Sequence, residues 1–357
     1  MGFSSFWKTI WREKKYKVVF IISIILAAFI IGGAIAAKLI PKKDLSKTAK
    51  TEKPVSYTSP LDGLEYSDKD KANRHPLAVV VENHPAARPQ IGLIDASIVY
   101  EAITEGGITR FMAIFGPTDT KELGPIRSAR LFFMDWLKEF DAFFAHAGGN
   151  EDALDNIGSY SIKDIPHAES YYWRDYKGRN VASEHTLYSS TEKLYEYASS
   201  KGYDVNSSNY EKYKFKKDGP ATVEGGKGLE VDFSSASYKV SWSYDPSSNS
   251  YSRTMGGSEH KDGNSGETIK AKNIIVQTVS RTLDPHGSYG DQNWVFDTVG
   301  SGSAKIYRDG KEITATWKKS ELTSRTKFYD ESGTEIEFNP GKTWIEVVPP
   351  EVSPVSI

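Results

Sequence analysis

One uninterrupted apolar segment constrains the fold of this chain more than any other feature of its sequence. The segment from Val18 to Ala37 contains no charged side chain and only one hydroxyl group, that of Ser23. A helix of about 20 residues, rising about 1.5 Å per residue, spans the hydrocarbon core of a bilayer. The segment therefore predicts a single transmembrane helix over residues 18–40, whose partner would be the cytoplasmic membrane.

A cleaved signal peptide is the alternative interpretation of the same segment. Ala34-Ile35-Ala36 has the small-x-small pattern that typically precedes a cleavage site. The apolar run is long for a signal peptide, which favours an anchor that remains attached. The sequence leaves both interpretations open.

The charges of the chain are unevenly distributed, although 45 Lys and Arg and 47 Asp and Glu give a net charge of only −2. Residues 1–53 contain 11 basic and 3 acidic side chains, which leaves 34 basic and 44 acidic ones for the rest. Because a nucleic-acid partner needs a positively charged face, this acidic body argues against one. Long domains translocate largely regardless of flanking charge, so we expect a cytoplasmic tail over residues 1–17 and an extracytoplasmic body.

Several common kinds of site are missing from the sequence. It contains no cysteine, which excludes disulfides, thiolate nucleophiles, cysteine zinc ligands and lipid attachment to cysteine in these residues. It also contains no HExxH motif, no Walker A loop and no GxSxG elbow. We therefore expect neither a metal nor a cofactor.

The part of the chain that follows the apolar segment mixes strand-like and helix-like patterns. Short apolar runs predict strands at residues 77–83, 96–103, 108–115 and 142–146. The second and third runs would form a hairpin across Glu105-Gly106-Gly107. Apolar spacing and capping residues predict helices at residues 128–140, 151–157 and 191–201. This mixture indicates a mixed α/β N-terminal domain over residues 61–218.

The remainder of the chain consists of short alternating segments bounded by glycine-containing turns. Asp309-Gly310 between two such segments is a strong hairpin signal. We therefore expect a mostly antiparallel β domain over residues 219–350. A polar linker at residues 41–60 and a loose tail at residues 351–357 complete an α+β chain preceded by one transmembrane helix.

Two arginines mark a candidate anion site. Arg127 and Arg130 lie at the start of the helix predicted over residues 128–140. Free backbone N–H groups at a helix start, together with guanidinium groups, suit a phosphate or carboxylate ligand. Pairing of these arginines with Asp135 or another carboxylate is the structural alternative.

Other charged side chains lie where predicted strands end. Glu101, Glu105 and Arg110 surround the predicted hairpin, and His146 ends a strand in front of Gly148-Gly149. Strand ends are usual places for ligand-binding groups. The structural alternative for Glu101, Glu105 and Arg110 is a cross-strand ion pair. For His146 it is a set of hydrogen bonds to the backbone.

Two loop regions contain the remaining candidates. Arg174 and Glu184-His185 fall in a loop-rich stretch, where they could line a cleft or simply hold the loops together. His260 and Asp262 lie beside a glycine-rich connection. A carboxylate can orient an imidazole as a general base, although such pairs are also common in ordinary turns.

Long motifs follow one another in a fixed order along the chain. They are LAVVVENHPAARPQIGLIDASIVYEAITEGGITRFMAIF, GPIRSAR, HAGGN, YYWRD and HTLYSS, followed by YDPSSNSYSRTMGGSEHKD, NIIVQTV, GSGSAKIYRDGKEITATW and PGKTWIEVVP. Through these motifs, which cover about residues 60–350, the chain is similar to the YerB-like lipoprotein family. The resemblance implies a bacterial, two-domain, extracytoplasmic protein held at the outer face of the cytoplasmic membrane. The family is one of unknown function, so the resemblance implies no catalytic residues.

The chain departs from the family pattern in two places. It lacks the cysteine that would carry a lipid, so the apolar helix would serve as the tether. Residues 183–188 read SEHTLY, where the family pattern has a Pro-His-Asn-type segment before Leu-Tyr.

Two classes of function remain. The first is a membrane-tethered binding or accessory module that recognises a wall polymer or an envelope protein in a cleft between its two domains. The second is an envelope polymer hydrolase or transferase that pairs Glu82, Glu101 or Glu105 with His146 or His260 as acid and base. The absence of a catalytic signature, together with several arginines at the ends of strands and helices, favours binding.

Overall fold

The computed structural model describes residues 18–28, 55–207, 209–219, 225–283 and 293–357, and the chain divides into two compact units, Met1–Pro54 and Val55–Ile357. Residues 18–28 form a helix. Within the described residues, no helix has the length and apolar character needed to cross a membrane. The predicted transmembrane helix is therefore not shown. Its second half, the tail at residues 1–17 and most of the predicted linker lie outside the described residues.

Nine short strands are described in the first half of the larger unit. They are β1 (Tyr57–Thr58), β2 (Glu65–Tyr66), β3 (Leu77–Glu82), β4 (Ile98–Ile103), β5 (Thr109–Phe115), β6 (Phe143–His146), β7 (Lys163–Pro166), β8 (Trp173–Arg174) and β9 (Leu187–Tyr188). The predicted hairpin is confirmed, since β4 and β5 pair in antiparallel register around a turn at Glu105–Gly107. The predicted strands at residues 77–83 and 142–146 correspond to β3 and β6.

Four α-helices accompany these strands in the described residues. They are α1 (Lys69–Ala72), α2 (Leu131–Leu137), α3 (Glu151–Ser159) and α4 (Thr191–Ser200). The helix predicted over residues 128–140 is shorter than expected: it begins at Leu131, after Arg130 as its N-cap, and residues 138–140 continue it as a 3-10 turn. The side chain of Ser190 caps α4 by accepting a hydrogen bond from the Lys193 N–H, whereas the side chain of Asn150 makes no such bond at the start of α3.

In the described part of the second half of the larger unit, the regular elements are strands and one 3-10 turn, Ala236–Tyr238. Its strands are β10 (Leu229–Asp232), β11 (Lys239–Asp245), β12 (Ser250–Met255), β13 (Ser258–Glu259), β14 (Lys270–Ala271), β15 (Asn273–Thr278), β16 (Arg281–Leu283), β17 (Trp294–Phe296), β18 (Gly300–Arg308), β19 (Lys311–Lys319), β20 (Lys327–Tyr329), β21 (Thr343–Val348) and β22 (Val355–Ser356). The hairpin predicted at Asp309-Gly310 is confirmed by the pairing of β18 with β19. The chain thus has the α+β character expected from its sequence.

A ten-stranded sheet joins the two halves. Its strand order is β20-β19-β18-β15-β21-β4-β5-β3-β6-β7. Strand β21 runs parallel to both β15 and β4, so this part of the second half is not antiparallel as expected. Central parallel strands are buried on both faces and are therefore mostly apolar in sequence. β21 fits this description, since each of its residues is buried. The domain boundary predicted near residue 218 therefore separates two sequence regions that share one sheet.

The second sheet is antiparallel and packs its apolar face inward. Its order is β13-β12-β11-β10-β22, with β14 also paired to β12. Strand β22 lies in the segment predicted to be a loose tail, where Ser356 is paired with Leu229. The tail is therefore attached to the fold by backbone pairing rather than loose.

The ten-stranded sheet is buried on both sides. Alternate residues of β3 belong to two separate apolar clusters, Val79 and Val81 to one and Ala78 and Val80 to the other. Successive side chains of a strand point to opposite faces, so these clusters lie on the two faces of the sheet. The second sheet contributes to the first cluster, and helix α2 contributes to the second.

Candidate functional site

Arg127 and Arg130, predicted together as an anion site, and Arg110, predicted with the hairpin charges, line one cleft of about 460 Å³. The described residues that line it are Glu105, Gly106, Ile108, Arg110, Arg127, Ser128, Arg130, Gly149, Asn150 and Asn293. This lining contains three guanidinium groups and one carboxylate, and two carboxylates outside the lining, Glu82 and Glu184, contact Arg127. We refer to this cleft as the arginine cleft.

Neighbouring backbone segments bring the three arginines together. Arg110 lies in β5, with Ala102 of β4 and Glu82 of β3 as its cross-strand neighbours. The segment from Arg127 to Arg130 runs from the sheet into α2, and the Ala129 N–H donates to the Gly148 carbonyl at 2.8 Å. The arginines therefore converge at the end of the hairpin, next to the start of α3.

Glu105 holds two of the three guanidinium groups. Arg110 Nη2 donates to Glu105, and Arg130 Nη2 lies 2.6 Å from the same carboxylate oxygen. Burial alone would raise the pKa of Glu105, but the charges of Arg110 and Arg130 lower that pKa to about 2. Glu105 is therefore ionised at neutral pH and keeps the two arginines in fixed positions.

The positive charge of the cleft exceeds what Glu105 can neutralise. Burial, with the neighbouring charge of Arg130, lowers the pKa of Arg110 to about 9 even though Glu105 opposes this shift. Arg110 is only 3% exposed, and its Nε atom is buried with no hydrogen-bond partner in the described structure. The buried Asn150 Oδ1 atom is likewise without a partner there. Unsatisfied buried polar atoms of this kind point to a ligand or a water molecule.

Arg127 connects the cleft to a second group of polar side chains. Its Nη2 donates to Glu184 at 3.1 Å, and its Nε lies 3.3 Å from Glu82 Oε1 without hydrogen-bond geometry. Glu82 is buried, and its other oxygen lies 2.9 Å from His185 Nδ1. The ring of His185 stacks on that of His84 with centroids 4.8 Å apart.

Glu101 lies in a closed and fully buried network rather than in the cleft. It is paired in register with Glu346 across β4 and β21, and Arg253 Nη2 donates to it. Arg253 Nε lies 3.8 Å from Glu346, whose Oε1 accepts from Trp242 Nε1 at 2.7 Å. Burial, with the adjacent charge of Glu101, raises the pKa of Glu346 well above its usual value. Glu346 is therefore the carboxyl group of the pair that retains its proton.

His260 belongs to the same buried network. Arg253 Nη1 donates to His260 Nδ1 at 2.6 Å, and His260 Nε2 donates to Gln90 Oε1 at 2.9 Å. Burial and the charge of Arg253 lower the pKa of His260 well below its usual value. Both nitrogens of this neutral ring are therefore engaged in holding the fold. Asp262 does not orient the ring, because its carboxylate accepts instead from the Gly92 N–H at 2.6 Å and from nearby backbone.

The structure places His146 and Arg174 outside the arginine cleft. His146 Nδ1 lies 2.7 Å from the Gly148 carbonyl, and its Nε2 lies 2.8 Å from Asp164. This histidine is buried, with both nitrogens paired, as its structural alternative predicts. Arg174 is exposed and donates to the Ser183 carbonyl, so it ties two loops together.

The sequence did not identify two parts of this arrangement. Glu346 lies inside an apolar strand, where nothing local marks it as the neighbour of Glu101. The sequence marks His185 as a loop residue that could line a cleft, but it gives no sign of the contact with Glu82, which joins positions 103 residues apart. Because both side chains are buried, the Glu82–His185 pair differs from an ordinary ion pair at the surface. Within the described ranges, no group of three or more His, Asp or Glu side chains has the arrangement of a metal site.

Comparison with known proteins identifies relatives over most of the chain. Residues 61–204 match the family described as "Protein of unknown function (DUF3048) N-terminal domain", and residues 229–345 match the corresponding C-terminal domain. The Bacillus subtilis (strain 168) protein named "Putative lipoprotein YerB" is 31% identical over 296 residues, which are 82% of this chain and 86% of that protein.

The crystal structure of the YerB protein from Bacillus subtilis has the same fold. It superimposes with a TM-score of 0.73 and 31% sequence identity, over 84% of this chain and 99% of that one. These matches confirm the family resemblance that the ordered sequence motifs predict. The chain belongs to the DUF3048 family, whose function is unknown.

Proposed function

We propose that the chain is an extracytoplasmic protein of the bacterial cell envelope that binds an anionic group of a wall polymer in the arginine cleft. The observation that carries this proposal is the convergence of Arg110, Arg127 and Arg130 on one cleft that Glu105 neutralises only in part. Guanidinium groups bind phosphate and carboxylate oxygens through paired N–H donors, so such an anion suits the cleft. The envelope location is supported by the relationship to a protein named as a lipoprotein.

Attachment to the membrane is part of the proposal. The sequence contains no cysteine to carry a lipid, and the segment Val18–Ala37 is long and apolar enough to serve as the anchor. A single cysteine introduced at the exposed residue Glu331 tests this arrangement in intact cells. A membrane-impermeant maleimide should label Glu331→Cys but not Ser4→Cys. Labelling of the second variant alone would place the body in the cytoplasm and end the proposal.

The position of the cleft fits the recognition of an extended polymer. The cleft is open on the surface, and its described lining comes from both sequence regions, because Asn293 contributes from the second. A wall polymer with repeating phosphates could present successive anions to such a surface. An envelope protein with an exposed acidic segment is the other partner that the sequence allows.

Retention on purified cell-wall sacculi tests the binding proposal. The full-length chain, in mild detergent, should sediment with sacculi that carry teichoic acid, and added salt should release it because charge contacts are screened. Arg130→Ala should weaken retention about tenfold or more, since a hydrogen bond to a charged group is worth about 1.5–3 kcal/mol.

Lys311→Ala is the control, because it removes an exposed cation that does not line the cleft. It should bind as the parent does. No retention of the parent on sacculi, with or without teichoic acid, would rule out a wall polymer and direct the search to protein partners.

A further inference from the structure

A second and smaller pocket adjoins the arginine cleft. It has a volume of about 210 Å³, against about 460 Å³ for the cleft. Gly106 and Asn293 line the cleft, and the next residue of each segment, Gly107 and Trp294, lines the pocket. We refer to it as the Arg281 pocket, after the one charged side chain in its described lining.

Arg281 is placed in this pocket by a hairpin of two short strands. Strands β16 and β17 pair so that Arg281 lies opposite Phe296 and Leu283 lies opposite Trp294. Alternate residues of a strand point to the same face, so these four side chains share one face of the hairpin. The guanidinium carbon of Arg281 lies 3.8 Å from the centroid of the Trp294 ring. This cation–π contact holds the guanidinium group at the wall of the pocket.

Two nitrogens of this guanidinium group lack an acceptor. Arg281 Nη2 donates to Glu351 at 3.0 Å, whereas Nε and Nη1 are buried and have no hydrogen-bond partner in the part of the chain that the structure describes. The side chain of Arg281 is only 10% exposed, so bulk water does not replace the missing bonds. A buried donor of a charged group is costly to leave unpaired. We therefore expect a bound group to supply an acceptor here.

The surroundings of Arg281 favour an uncharged group over a second ion. Glu351 already supplies one carboxylate to the guanidinium group. The side chains of Ile103, Phe233 and Leu283 offer only apolar walls, and the first two are 3% exposed. An ion placed against such walls would lose its hydration at a large cost in free energy.

A water molecule suits the pocket no better than an ion. A buried water makes about two to four hydrogen bonds. Besides Arg281, the only polar side chain in the described lining is that of Ser234, whose hydroxyl donates to the Gly107 carbonyl at 2.6 Å. A small group with one oxygen acceptor and an apolar end matches this lining better. The acetamido group is of this kind, because its carbonyl oxygen accepts hydrogen bonds and its methyl group is apolar.

We propose that the Arg281 pocket binds the acetamido group of an N-acetylated sugar in a wall polymer. Arg281 donates to the carbonyl oxygen, and the methyl group packs against the apolar walls. The pocket is smaller than the roughly 300–1,000 Å³ of sites for drug-sized ligands, so it suits one such group. The choice of a wall polymer rests on the proposed function, whereas the pocket itself needs no charged ligand. A polymer that carries both an anion and an acetamido group would bind more tightly through the two adjoining sites together than through either alone.

Two uncharged trisaccharides test the pocket apart from the arginine cleft. Triacetylchitotriose and cellotriose share one backbone and differ in carrying an acetamido group or a hydroxyl group at the second carbon of each ring. Isothermal titration calorimetry of the full-length chain uses a detergent without a sugar headgroup. Triacetylchitotriose should bind about tenfold or more tightly than cellotriose, which is the effect of one hydrogen bond from a charged donor. Equal binding of the two, or binding of neither, would overturn the proposal.

Substitution of Arg281 tests whether this side chain carries the preference. Arg281→Met keeps a long apolar side chain but removes every donor, so it should bind the two trisaccharides equally. Lys311→Met makes the same kind of change at an exposed cation outside the pocket lining and should keep the preference. A preference that survives in Arg281→Met would place the acetamido group elsewhere and contradict the proposal.

Tryptophan NMR locates the bound sugar without any change to Arg281. In the full-length chain labelled with nitrogen-15 on tryptophan, the indole signal of Trp294 is assigned by its loss in Trp294→Phe. This signal should shift when triacetylchitotriose is added and stay in place with cellotriose. Binding of triacetylchitotriose without a shift of the Trp294 signal would show that the sugar binds away from the pocket.

The two proposals fail in different ways. If the parent chain is retained on sacculi but does not distinguish the trisaccharides, the acetamido proposal is wrong and the anion-binding proposal stands. If the preference for triacetylchitotriose depends on Arg281 but the chain is not retained on sacculi, the acetamido site stands, and its assignment to a wall polymer fails together with the proposed function.

Discussion

The arginine cleft and the buried network around Arg253 contain the same kinds of side chain and differ in how their charges are satisfied. In the network, one arginine lies against Glu101 and Glu346, all fully buried, and Glu346 retains its proton. In the cleft, three arginines line an open space with one carboxylate. A closed group of charges holds strands together, whereas an open group with excess charge is available to bind a ligand.

The largest expected difference concerns the loss of one arginine from each region. Arg253→Met should lower the free energy of unfolding by about 3–5 kcal/mol, because it leaves a buried carboxylate unpaired. Arg130→Met should cost at most about 1 kcal/mol, because its partner Glu105 is partly exposed. Urea unfolding of the full-length chain measures both changes, with Lys311→Ala as the surface control. Equal losses at the two sites would show that the cleft is as structural as the network.

The two regions should also respond to pH with opposite signs. The pKa of Glu346 is raised on folding, so the folded state holds an extra proton above the usual value of 4.5, and stability falls as the pH rises from there towards the raised pKa. The pKa of Glu105 is lowered to about 2, so its contribution is present above 4.5 and is lost as the pH falls towards about 2.

Urea unfolding at a series of pH values separates these two contributions. Glu346→Gln should remove the fall in stability at higher pH, with a slope of up to about 1.4 kcal/mol per pH unit for one proton. Glu105→Gln should flatten the loss of stability on the acid side. Unchanged profiles in both variants would mean that neither carboxyl group titrates differently in the folded chain.

The smallest expected effect concerns the excess charge of the cleft. Glu105→Gln leaves Arg110 and Arg130 without their carboxylate, so teichoic acid should bind about threefold to tenfold more tightly at low salt and lose that gain at high salt. Glu192→Gln removes an exposed carboxylate outside the cleft lining and serves as the control. Weaker binding by Glu105→Gln would instead show that Glu105 mainly positions Arg110 and Arg130.

Local patterns in the sequence predict most of the elements that build the cleft. The hairpin is specified by Gly106 and Gly107 at its turn and by the apolar runs on either side. The spacing of apolar residues specifies α2. Because Arg110, Arg127 and Arg130 lie at the ends of these elements, the sequence identifies each of them as a candidate. It cannot show that they share one cleft, because that depends on how the segment from Arg127 to Arg130 passes the start of α3.

Long-range pairing is the part that the sequence does not reveal. The parallel pairing of β21 with β4 joins positions about 245 residues apart, and a buried parallel strand carries no alternation that identifies its neighbour. The pairs Glu101–Glu346 and Glu82–His185 follow from such contacts. Pairing with Arg253 also explains why Glu101, a candidate for the site, belongs to the buried network instead.

The place of β21 within the sheet has a consequence for how the chain is made. Synthesis delivers β3 to β7 first, yet the partner that covers β4 leaves the ribosome only about 245 residues after β4 itself. Until it arrives, β4 and β15 each present an open strand edge to other chains. A chain truncated before residue 343 would therefore expose two unpaired strand edges. Cellular quality control could recognise the incomplete chain by these edges.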